Sequence, residues 1–330
     1  MSDVILELKH VRTHFFTDGG EVPAVDDVSL KLHKGEVVGI VGESGCGKSV
    51  TSLSVMNLIP NPPGKIVGGE ILFKDENLAK VSTRRMKKIR GNEIAMIFQE
   101  PMTSLNPLFT IGNQLIEAIR NHQKLSKKAA RAKAVDMLKL VGIPRADEIV
   151  DEYPHQLSGG MRQRVMIAMA MSCDPEVLIA DEPTTALDVT IQAQILDLMR
   201  KLNKEQGTAI MMITHDLGVV AEICDRVIVM YAGKVVEEGD VRTILKEPKH
   251  PYTKGLIKSL PKIHEKEQRL YSIPGSVPKP GTILQGCRFM ARCESAFARC
   301  QVEDPDLIEE SSGHQVRCFL YESEGSENVG

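Results

Sequence analysis

Residues 42–49 read GESGCGKS and match the pattern G-x-x-x-x-G-K-[ST] at every fixed position. Glycines in this pattern let successive backbone N–H groups point into one concavity, and a helix that follows adds its positive N-terminal end. Lys48 can reach the β- and γ-phosphates of a nucleotide, and the Ser49 hydroxyl is placed to ligate Mg2+. The stretch therefore predicts a nucleoside triphosphate site rather than a simple glycine-rich turn.

Two adjacent carboxylates supply the second half of such a site. A phosphate loop needs a metal-binding carboxylate from a neighbouring strand end, and Asp181 directly follows the apolar run VLIA. Glu182 comes next, where a carboxylate can accept a proton from the attacking water. We therefore predict that Asp181 serves the metal and that Glu182 is the general base.

The elements that must position these residues are visible as short apolar runs. Residues 36–41, 177–180 and 209–213 have the composition of strands buried in a parallel sheet, and residues 49–58 favour a helix. Strands that stop at polar residues and are separated by helical stretches indicate an α/β fold. In such folds the site lies at the carboxyl ends of the strands, where the two motifs above also lie.

The remaining segments surround this core. Residues 5–9 and 28–32 alternate apolar and polar side chains, as half-buried strands do, and residues 13–25 between them predict a turn with an exposed aromatic pair. Residues 115–150 are rich in Ala, Lys, Leu and Met and predict a helical insertion. Beyond residue 240 proline becomes frequent, which indicates an irregular C-terminal appendage.

The composition excludes several classes of protein. Hydrophobic residues make up 42% of the 330 residues and charged residues 26%, which is ordinary for a soluble chain. A formal charge of −3 gives no sign of a nucleic-acid partner. The N-terminus lacks the apolar core of a signal peptide, and no run of about 18 apolar residues occurs. We predict a protein with no transmembrane segment, located in the cytoplasm, where thiols stay reduced.

Four further motifs identify a family. They are LSGGMRQR at residues 157–164, Gln99 within IFQEP, TTALD at residues 184–188, and His215 within ITHD. Together with the two phosphate motifs they resemble the ATPases of ABC transporters over residues 6–238. The resemblance implies a P-loop α/β core at residues 1–240 with a helical subdomain at about residues 100–172.

The resemblance also implies a head-to-tail dimer that holds two ATP molecules with Mg2+. Gln99 would sense Mg2+ and the γ-phosphate, and His215 would bind the γ-phosphate and position the water. Phe15, or alternatively Phe16, would stack on adenine. The nucleotide-binding residues are predicted to be Phe15, Gly42, Glu43, Ser44, Gly45, Cys46, Gly47, Lys48, Ser49, Thr51, Gln99 and Asp181. The residues predicted to contact the ATP bound by the partner are Leu157, Ser158, Gly159, Gly160 and Met161. A further family motif, the D-loop, is predicted to comprise Ala186, Leu187 and Asp188.

Three segments outside the ATPase motifs resemble the dipeptide and oligopeptide importers, including relatives that import nickel. They are PMTSLNP at residues 101–107, KHPYT at 249–253 and IPGSVP at 273–278. The resemblance is strongest to the dipeptide-importer ATPase and implies a peripheral subunit on the cytoplasmic face of the membrane. Its partners would be a second ATPase subunit, different or identical, two permease subunits and, indirectly, an extracytoplasmic peptide-binding protein.

Two other classes fit the sequence less well. Soluble ABC proteins of DNA repair or translation usually carry two cassettes or a long coiled-coil insertion, whereas this chain has one cassette and a short insertion. A regulatory or redox-sensing subunit would not need hydrolysis, and the intact Glu182 and His215 argue against that alternative.

Four of the seven cysteines follow residue 280 with the spacing C-x5-C-x6-C-x17-C: Cys287, Cys293, Cys300 and Cys318. A reducing compartment disfavours disulfides, and the paired knuckles that are usual for Zn2+ are absent. The wide separations favour a [4Fe–4S] cluster, which the resemblance also implies, with Zn2+ as the alternative. We therefore predict that residues 241–330 form an extension with a four-cysteine metal site.

An arginine adjoins each of these cysteines in the sequence: Arg288, Arg292, Arg299 and Arg317. Guanidinium groups near the thiols would offset the negative charge of a thiolate-bound metal, and they would lower the pKa of each thiol before the metal binds. The other three cysteines, Cys46, Cys173 and Cys224, are predicted to be small structural residues.

Overall fold

The three predicted core strands form as expected in the computed structural model, which describes residues 4–99, 104–185, 187–260, 271–282 and 285–322. Each of the strands β3, β7 and β8 is buried along its whole length. The strands are β1 (Val4–Thr17), β2 (Gly20–His33), β3 (Val37–Val41), β4 (Gly64–Phe73), β5 (Glu76–Asn77), β6 (Ile94–Ile97), β7 (Val177–Asp181), β8 (Ala209–Ile213), β9 (Arg226–Tyr231), β10 (Lys234–Asp240), β11 (Ile308–Ser311) and β12 (His314–Val316).

The described helices occur throughout the chain, from one after the phosphate motif to short helices in the C-terminal part. They are α1 (Lys48–Val55), α2 (Thr83–Ile89), α3 (Ile111–His122), α4 (Lys127–Leu140), α5 (Ala146–Ile149), α6 (Gly159–Met171), α7 (Val189–Gln206), α8 (Leu217–Ile223), α9 (Val241–Lys246), α10 (Pro251–Lys258) and α11 (Ala298–Val302). Short 3-10 helices span Pro154–Gln156, Met290–Arg292 and Phe319–Tyr321. None of the helices in the described part of the chain has the length and apolar character that crossing a membrane requires.

The chain divides into two compact units. Unit 1 comprises residues up to 6 with 32–37 and 73–213, and unit 2 comprises 7–31, 38–72 and the residues from 214 onward. Unit 2 therefore runs through residue 240, where the sequence predicts the start of the extension, and that boundary stays a prediction.

Unit 1 is built on the parallel strands β6, β7 and β8, with β7 in the middle. The helices α3, α4 and α6 pack on one another, as predicted for a helical insertion. A hydroxyl side chain caps the start of each of these three helices by accepting a backbone N–H from the first turn. The capping residues are Thr110, Ser126 and Ser158 respectively. The capping residues fix where the helices start, and so they fix the position of the LSGG motif at the start of α6.

Unit 2 contains a sheet in the order β11-β12-β10-β9-β3, in which only β3 and β9 run parallel. The prediction of an irregular appendage is wrong for this part, because the hairpin of β11 and β12 continues the sheet from the edge of β10. A second sheet holds β2, β1 and β4 in that order. The predicted turn over residues 13–25 is also wrong: β1 runs to Thr17 and β2 starts at Gly20, so only residues 18 and 19 connect them.

Candidate functional site

The phosphate motif forms a tight loop between β3 and α1 in unit 2. Gly42 has φ 151° and Gly47 has φ 100°, values that favour glycine. A Cβ at Gly42 would lie 2.3 Å from the carbonyl oxygen of Met230, and a Cβ at Gly47 would lie 2.5 Å from that of Ala24. The loop therefore packs directly against backbone, and its shape depends on these two glycines.

Lys48 is the first residue of α1, and its side chain lies inside the loop. The residue is only 6% exposed, and Nζ donates to the carbonyl oxygens of Gly42 at 2.7 Å and Glu43 at 3.1 Å. Two neutral carbonyl groups of the loop thus hold the ammonium in place. A cation fixed in this way beside a helix N-terminus is a suitable partner for a phosphate.

The other predicted loop residues have different surroundings. Ser44 and Gly45 are exposed, whereas Ser49 is half-buried at the start of α1. Thr51 is fully buried, and its hydroxyl donates to the Gly47 carbonyl oxygen at 3.0 Å, so it supports the loop from within the helix. Cys46 is also buried; burial raises the pKa of its thiol, although nearby Lys48 acts in the opposite direction.

Glu43 is bound by residues from the C-terminal part of unit 2. Arg292 donates from Nη1 to Oε2 at 2.7 Å and from Nη2 to Oε1 at 3.1 Å. The backbone N–H of Glu43 donates to the Tyr252 hydroxyl at 2.8 Å. The side chain that the motif predicts near the nucleotide is therefore held by an arginine that the sequence places beside a cysteine.

In unit 1, β7 ends at Asp181, which is 4% exposed, and Glu182 follows in the left-handed region with φ 48°. A hydrogen bond from the Glu182 N–H to the Ile213 carbonyl oxygen, 2.8 Å long, holds this conformation. The Glu182 Oε2 accepts from Gln99 Nε2 at 3.1 Å and from Thr185 Oγ1 at 2.9 Å. The structure thus brings together two predicted site residues, Gln99 and Glu182, in a backbone conformation typical of functional sites.

The LSGG motif forms the start of α6. Leu157 is buried, and the Ser158 hydroxyl caps the helix by accepting the Met161 N–H at 3.3 Å. Among the described residues, and apart from its chain neighbours and the backbone of its own helix, no heavy atom lies within 4 Å of a Cβ on Gly159. A Cβ on Gly160 would lie 2.9 Å from Ile191. The first turn of α6 is therefore open on the Gly159 side and packed on the Gly160 side.

The remaining predicted site residues lie at element ends. The Asp188 carboxylate caps α7 by accepting the Ile191 N–H at 2.9 Å, Leu187 is half-buried, and Ala186 lies outside the described residues. His215 is exposed in the short connection between β8 and α8.

The aromatic pair lies in β1, where successive side chains point to opposite faces. Phe15 is half-buried, with its ring 2.8 Å from the position of a Cβ on Gly64. Phe16 is 49% exposed. The structure leaves both aromatic side chains with accessible surface, so the choice between them stays a prediction.

The four C-terminal cysteines line one small cavity of about 20 Å³, which they share with apolar side chains such as Phe289 and Phe319. The backbone N–H of Cys287 donates to the Cys300 carbonyl oxygen at 2.8 Å, which joins two of the cysteine segments. Within residues 4–322 as described, no three His, Cys, Asp or Glu side chains are grouped closely enough to hold a metal ion.

The prediction that arginines lower the thiol pKa values is wrong for Cys287, Cys293 and Cys318. Burial raises the pKa of the Cys287 thiol to about 11, and the neighbouring Cys300 and Cys318 act in the same direction. Burial likewise raises the pKa values of Cys293 and Cys318. The cause is that the thiols face apolar side chains and one another.

The four arginines bind carboxylates and backbone carbonyl groups instead. Arg288 donates to Asp26, and Arg292 to Glu43. Arg299 pairs with Glu303, which is exposed, and with Glu322, which is half-buried. Arg317 donates to the carbonyl oxygens of Val235 and Pro305 at 2.8 and 3.1 Å. Proximity in the sequence therefore did not place the guanidinium groups against the sulfur atoms.

Comparisons with known proteins agree with this geometry. A family model described as "ABC transporter" matches residues 25–185, and one described as "Oligopeptide/dipeptide transporter, C-terminal region" matches residues 236–300. The oligopeptide transport ATP-binding protein AppD of Bacillus subtilis is 54% identical over 323 residues, which are 98% of each chain. The dipeptide transport ATP-binding protein DppD of the same species is 50% identical over 325 residues, 98% of this chain and 97% of that one.

The chain belongs to the ATP-binding subunits of oligopeptide and dipeptide ABC transporters. It is thus an ABC-type ATPase, as the motifs predict. Its fold is similar to a dimeric post-hydrolysis structure of the ATP-binding cassette MJ0796 bound to ADP and phosphate, with a TM-score of 0.65 and 30% identity. The match covers 72% of this chain and 99% of that one, so this ABC ATPase has residues beyond the cassette.

Sequence reasoning missed two residues of this ABC ATPase that bind the phosphate loop, Tyr252 and Arg292. Tyr252 is part of the KHPYT segment, and Arg292 drew attention only as the neighbour of Cys293. A separation of more than 200 residues from Glu43 left no local signal for either contact.

Proposed function

We propose that this ABC ATPase binds Mg2+-ATP and hydrolyses it to power the import of dipeptides or oligopeptides through a membrane transporter. The observation that carries the proposal is the phosphate loop with its buried Lys48, found in a chain that matches AppD and DppD over nearly its full length. The peptide class comes from the names of these relatives. The alternative is the ATPase of a related nickel importer.

In the proposed reaction each residue has one task. Lys48 binds the β- and γ-phosphates, while Ser49, Gln99 and Asp181 serve Mg2+. Glu182 accepts the proton of the attacking water, and the bond between the β,γ-bridging oxygen and the γ-phosphorus breaks to give ADP and phosphate. His215 binds the γ-phosphate and positions the water.

The dimer supplies the other half of each proposed site. The first turn of α6 has Ser158 at its N-terminus and is open on the Gly159 side in the described part of the chain, so it suits the γ-phosphate of an ATP bound by a partner subunit. The cassette MJ0796 was solved as a dimer, which supports this arrangement. Two permease subunits would dock on the ATPase pair at the cytoplasmic face of the membrane, with an extracytoplasmic binding protein delivering the substrate.

An uptake assay in membrane vesicles tests the proposal. Vesicles containing the complete transporter should take up a labelled dipeptide or oligopeptide in the presence of ATP, and Lys48→Ala in this subunit should abolish both ATP binding and uptake. Uptake of 63Ni2+ without peptide uptake would assign the chain to a nickel importer. Normal peptide uptake with Lys48→Ala would contradict the proposed role of the phosphate loop.

We further propose that Cys287, Cys293, Cys300 and Cys318 hold a [4Fe–4S] cluster, with Zn2+ as the alternative. All four side chains line one cavity, and thiolates are the ligands that both metals accept. Burial and mutual repulsion raise the thiol pKa of Cys287, and a cationic metal core bound there would relieve that penalty. The cluster would act as a structural link among segments that are distant in sequence.

Anaerobic purification tests the metal. Protein purified without oxygen should be brown, with broad visible absorption and about four irons per chain. A colourless protein with one Zn2+ per chain would assign the site to zinc, and a metal-free protein with four titratable thiols would contradict both assignments.

A further inference from the structure

Arg292 makes more contacts with the phosphate loop and its surroundings than a surface arginine would. Its side chain is 5% exposed, and its five N–H groups make five hydrogen bonds. Two go to the Glu43 carboxylate, one to the Tyr231 hydroxyl at 3.4 Å, and two to the carbonyl oxygens of Ile273 and Pro274 at 3.2 and 2.8 Å. Because these hydrogen bonds hold the planar guanidinium in one orientation, the guanidinium in turn holds the groups that accept from it in place.

Glu43 is the residue of the loop that Arg292 fixes. Its carbonyl oxygen accepts from Lys48 Nζ at 3.1 Å and from the Cys46 N–H at 3.4 Å, and its own N–H donates to the Tyr252 hydroxyl. Glu43 is the second residue of the loop that is proposed to bind the triphosphate. A negative charge there opposes an anionic ligand, and the bidentate guanidinium offsets that charge and orients the carboxylate.

Aromatic packing keeps Arg292 in this position. Tyr231, Tyr252 and Phe289 form a buried group with ring centroids 4.6, 5.1 and 5.4 Å apart. The guanidinium carbon lies 5.8 Å from the Tyr231 centroid and 6.0 Å from that of Phe289, within range of a cation–π contact. The aromatic group covers the guanidinium, which is 5% exposed, whereas the Glu43 side chain is 33% exposed.

Arg292 and Phe289 belong to the segment from Cys287 to Cys318, which contains the four C-terminal cysteines and is called the four-cysteine segment. Arg292 ends the 3-10 helix Met290–Arg292 directly before Cys293, and its N–H donates to the Phe289 carbonyl oxygen at 2.9 Å. Phe289 lines the cysteine cavity and also packs against Tyr252. A shift of the cysteine segment would therefore move Arg292, and with it Glu43.

We propose that Arg292 is a positioning residue for ATP binding: it neutralises and orients Glu43, and it makes the affinity of the phosphate loop for nucleotide depend on the folded state of the four-cysteine segment. The inference rests on the proposed role of residues 42–49 as the ATP site. Loss of Arg292 leaves the Glu43 charge uncompensated inside the loop, which weakens ATP binding more than it slows the chemical step.

The first experiment measures the Kd of Mg2+-ATP for the full chain, together with KM and kcat, in Arg292→Ala, Arg292→Lys and the double variant Arg292→Ala with Glu43→Gln. We expect Arg292→Ala to raise Kd and KM about tenfold with kcat changed less than about threefold, since a charged hydrogen-bonding partner is lost. Arg292→Lys should restore part of the affinity. The double variant should bind ATP within about threefold of the wild type, because it lacks the uncompensated charge.

Arg299→Ala is the matched control. Arg299 also precedes a cysteine, but it is 45% exposed and pairs with Glu303 and Glu322, which lie outside the phosphate loop, so this variant should bind ATP like the wild type. An Arg292→Ala protein with unchanged Kd would overturn the inference. So would a raised Kd that Glu43→Gln does not restore, because the effect would then be general disruption rather than charge. If the wild type itself fails to bind Mg2+-ATP, or binds it equally well after Lys48→Ala, the proposed function fails instead.

A second cycle tests the dependence on the cysteine segment. Cys293→Ser should raise the ATP Kd of the protein that retains Arg292. It should have little further effect in Arg292→Ala, because that variant already lacks the contact between the four-cysteine segment and Glu43. Equal effects in both backgrounds would show that the cysteine segment acts without Arg292. Nucleotide binding is the readout in every arm, so the result does not depend on turnover by metal-loaded protein.

Discussion

Two glutamates follow buried strands at similar points of the molecule, Glu43 after β3 and Glu182 after β7, yet their carboxylates are held in opposite ways. Arg292 binds both oxygens of Glu43 through a charged fork. Glu182 Oε2 accepts from two neutral donors, the amide of Gln99 and the hydroxyl of Thr185. The bidentate guanidinium offsets the charge of Glu43 and orients its carboxylate. The same residue type therefore supports the loop in one place, and in the other it is proposed to accept a proton.

The largest difference in kcat between variants at these two positions should appear when each glutamate is replaced by glutamine. Glu182→Gln should lower kcat by about 10²- to 10⁴-fold because the proposed general base is lost, while Mg2+-ATP still binds. Glu43→Gln should change kcat by less than about threefold, since its carboxylate takes no proton. Phosphate release at saturating Mg2+-ATP measures both. Similar losses in the two variants would mean that the comparison between the two carboxylates does not hold.

Acid should lower the free energy of unfolding through His250, which lies close to Tyr252 in the sequence. His250 caps α10 by accepting the Tyr252 N–H, and burial lowers the pKa of its imidazole from 6.5 to about 3. Below pH 6.5 the unfolded chain takes up a proton that the folded chain does not, so stability falls as pH falls through this window. We expect a loss of about 3 kcal/mol between pH 6.5 and pH 4 from this group.

Urea unfolding of the wild type and of His250→Asn at several pH values measures that loss. Asparagine can still accept the Tyr252 N–H but does not titrate, so the variant should lose less stability on acidification. Parallel curves for the two proteins would show that His250 does not account for the acid sensitivity.

The smallest effect concerns the hydroxyl that holds Glu182. Thr185→Val keeps the shape of the side chain but removes the 2.9 Å hydrogen bond to Oε2, and kcat should fall about two- to tenfold. Thr185→Ser keeps the hydroxyl and should be close to the wild type in the same phosphate-release assay. An equal loss in both variants would point to packing rather than to the hydrogen bond.

The sequence predicts the parts of the site that depend on local backbone. The glycines and Lys48 fall within eight consecutive residues, and the strand before them is a continuous apolar run. The loop therefore follows from a motif whose geometry is nearly independent of the rest of the chain. The hydrogen bond between Gln99 and Glu182 is harder to predict from the sequence, because it depends on the pairing of strands β6 and β7.

The contacts of the extension could not be predicted in this way. Arg292 and Glu43 are separated by 249 positions, and nothing in either neighbourhood marks them as partners. The prediction that the arginines lower the thiol pKa values was wrong for a different reason. Residues that are adjacent in the sequence can point their side chains in different directions. The β1–β2 connection was missed because strand residues such as His14 and Glu21, which bond across the hairpin at 2.6 Å, have the polarity of a turn.

The hairpin of β11 and β12 has a consequence for the solubility of the chain. It pairs with β10 through Glu237 and Glu238, so β11, four residues long with two glutamates, becomes the border of the sheet. Short, acidic border strands resist pairing with other chains, whereas β10 alone would present the buried residues Val235 and Val236 beside unpaired backbone groups. The C-terminal hairpin thus guards the sheet against edge-to-edge aggregation, a protection that a chain ending after β10 would lack.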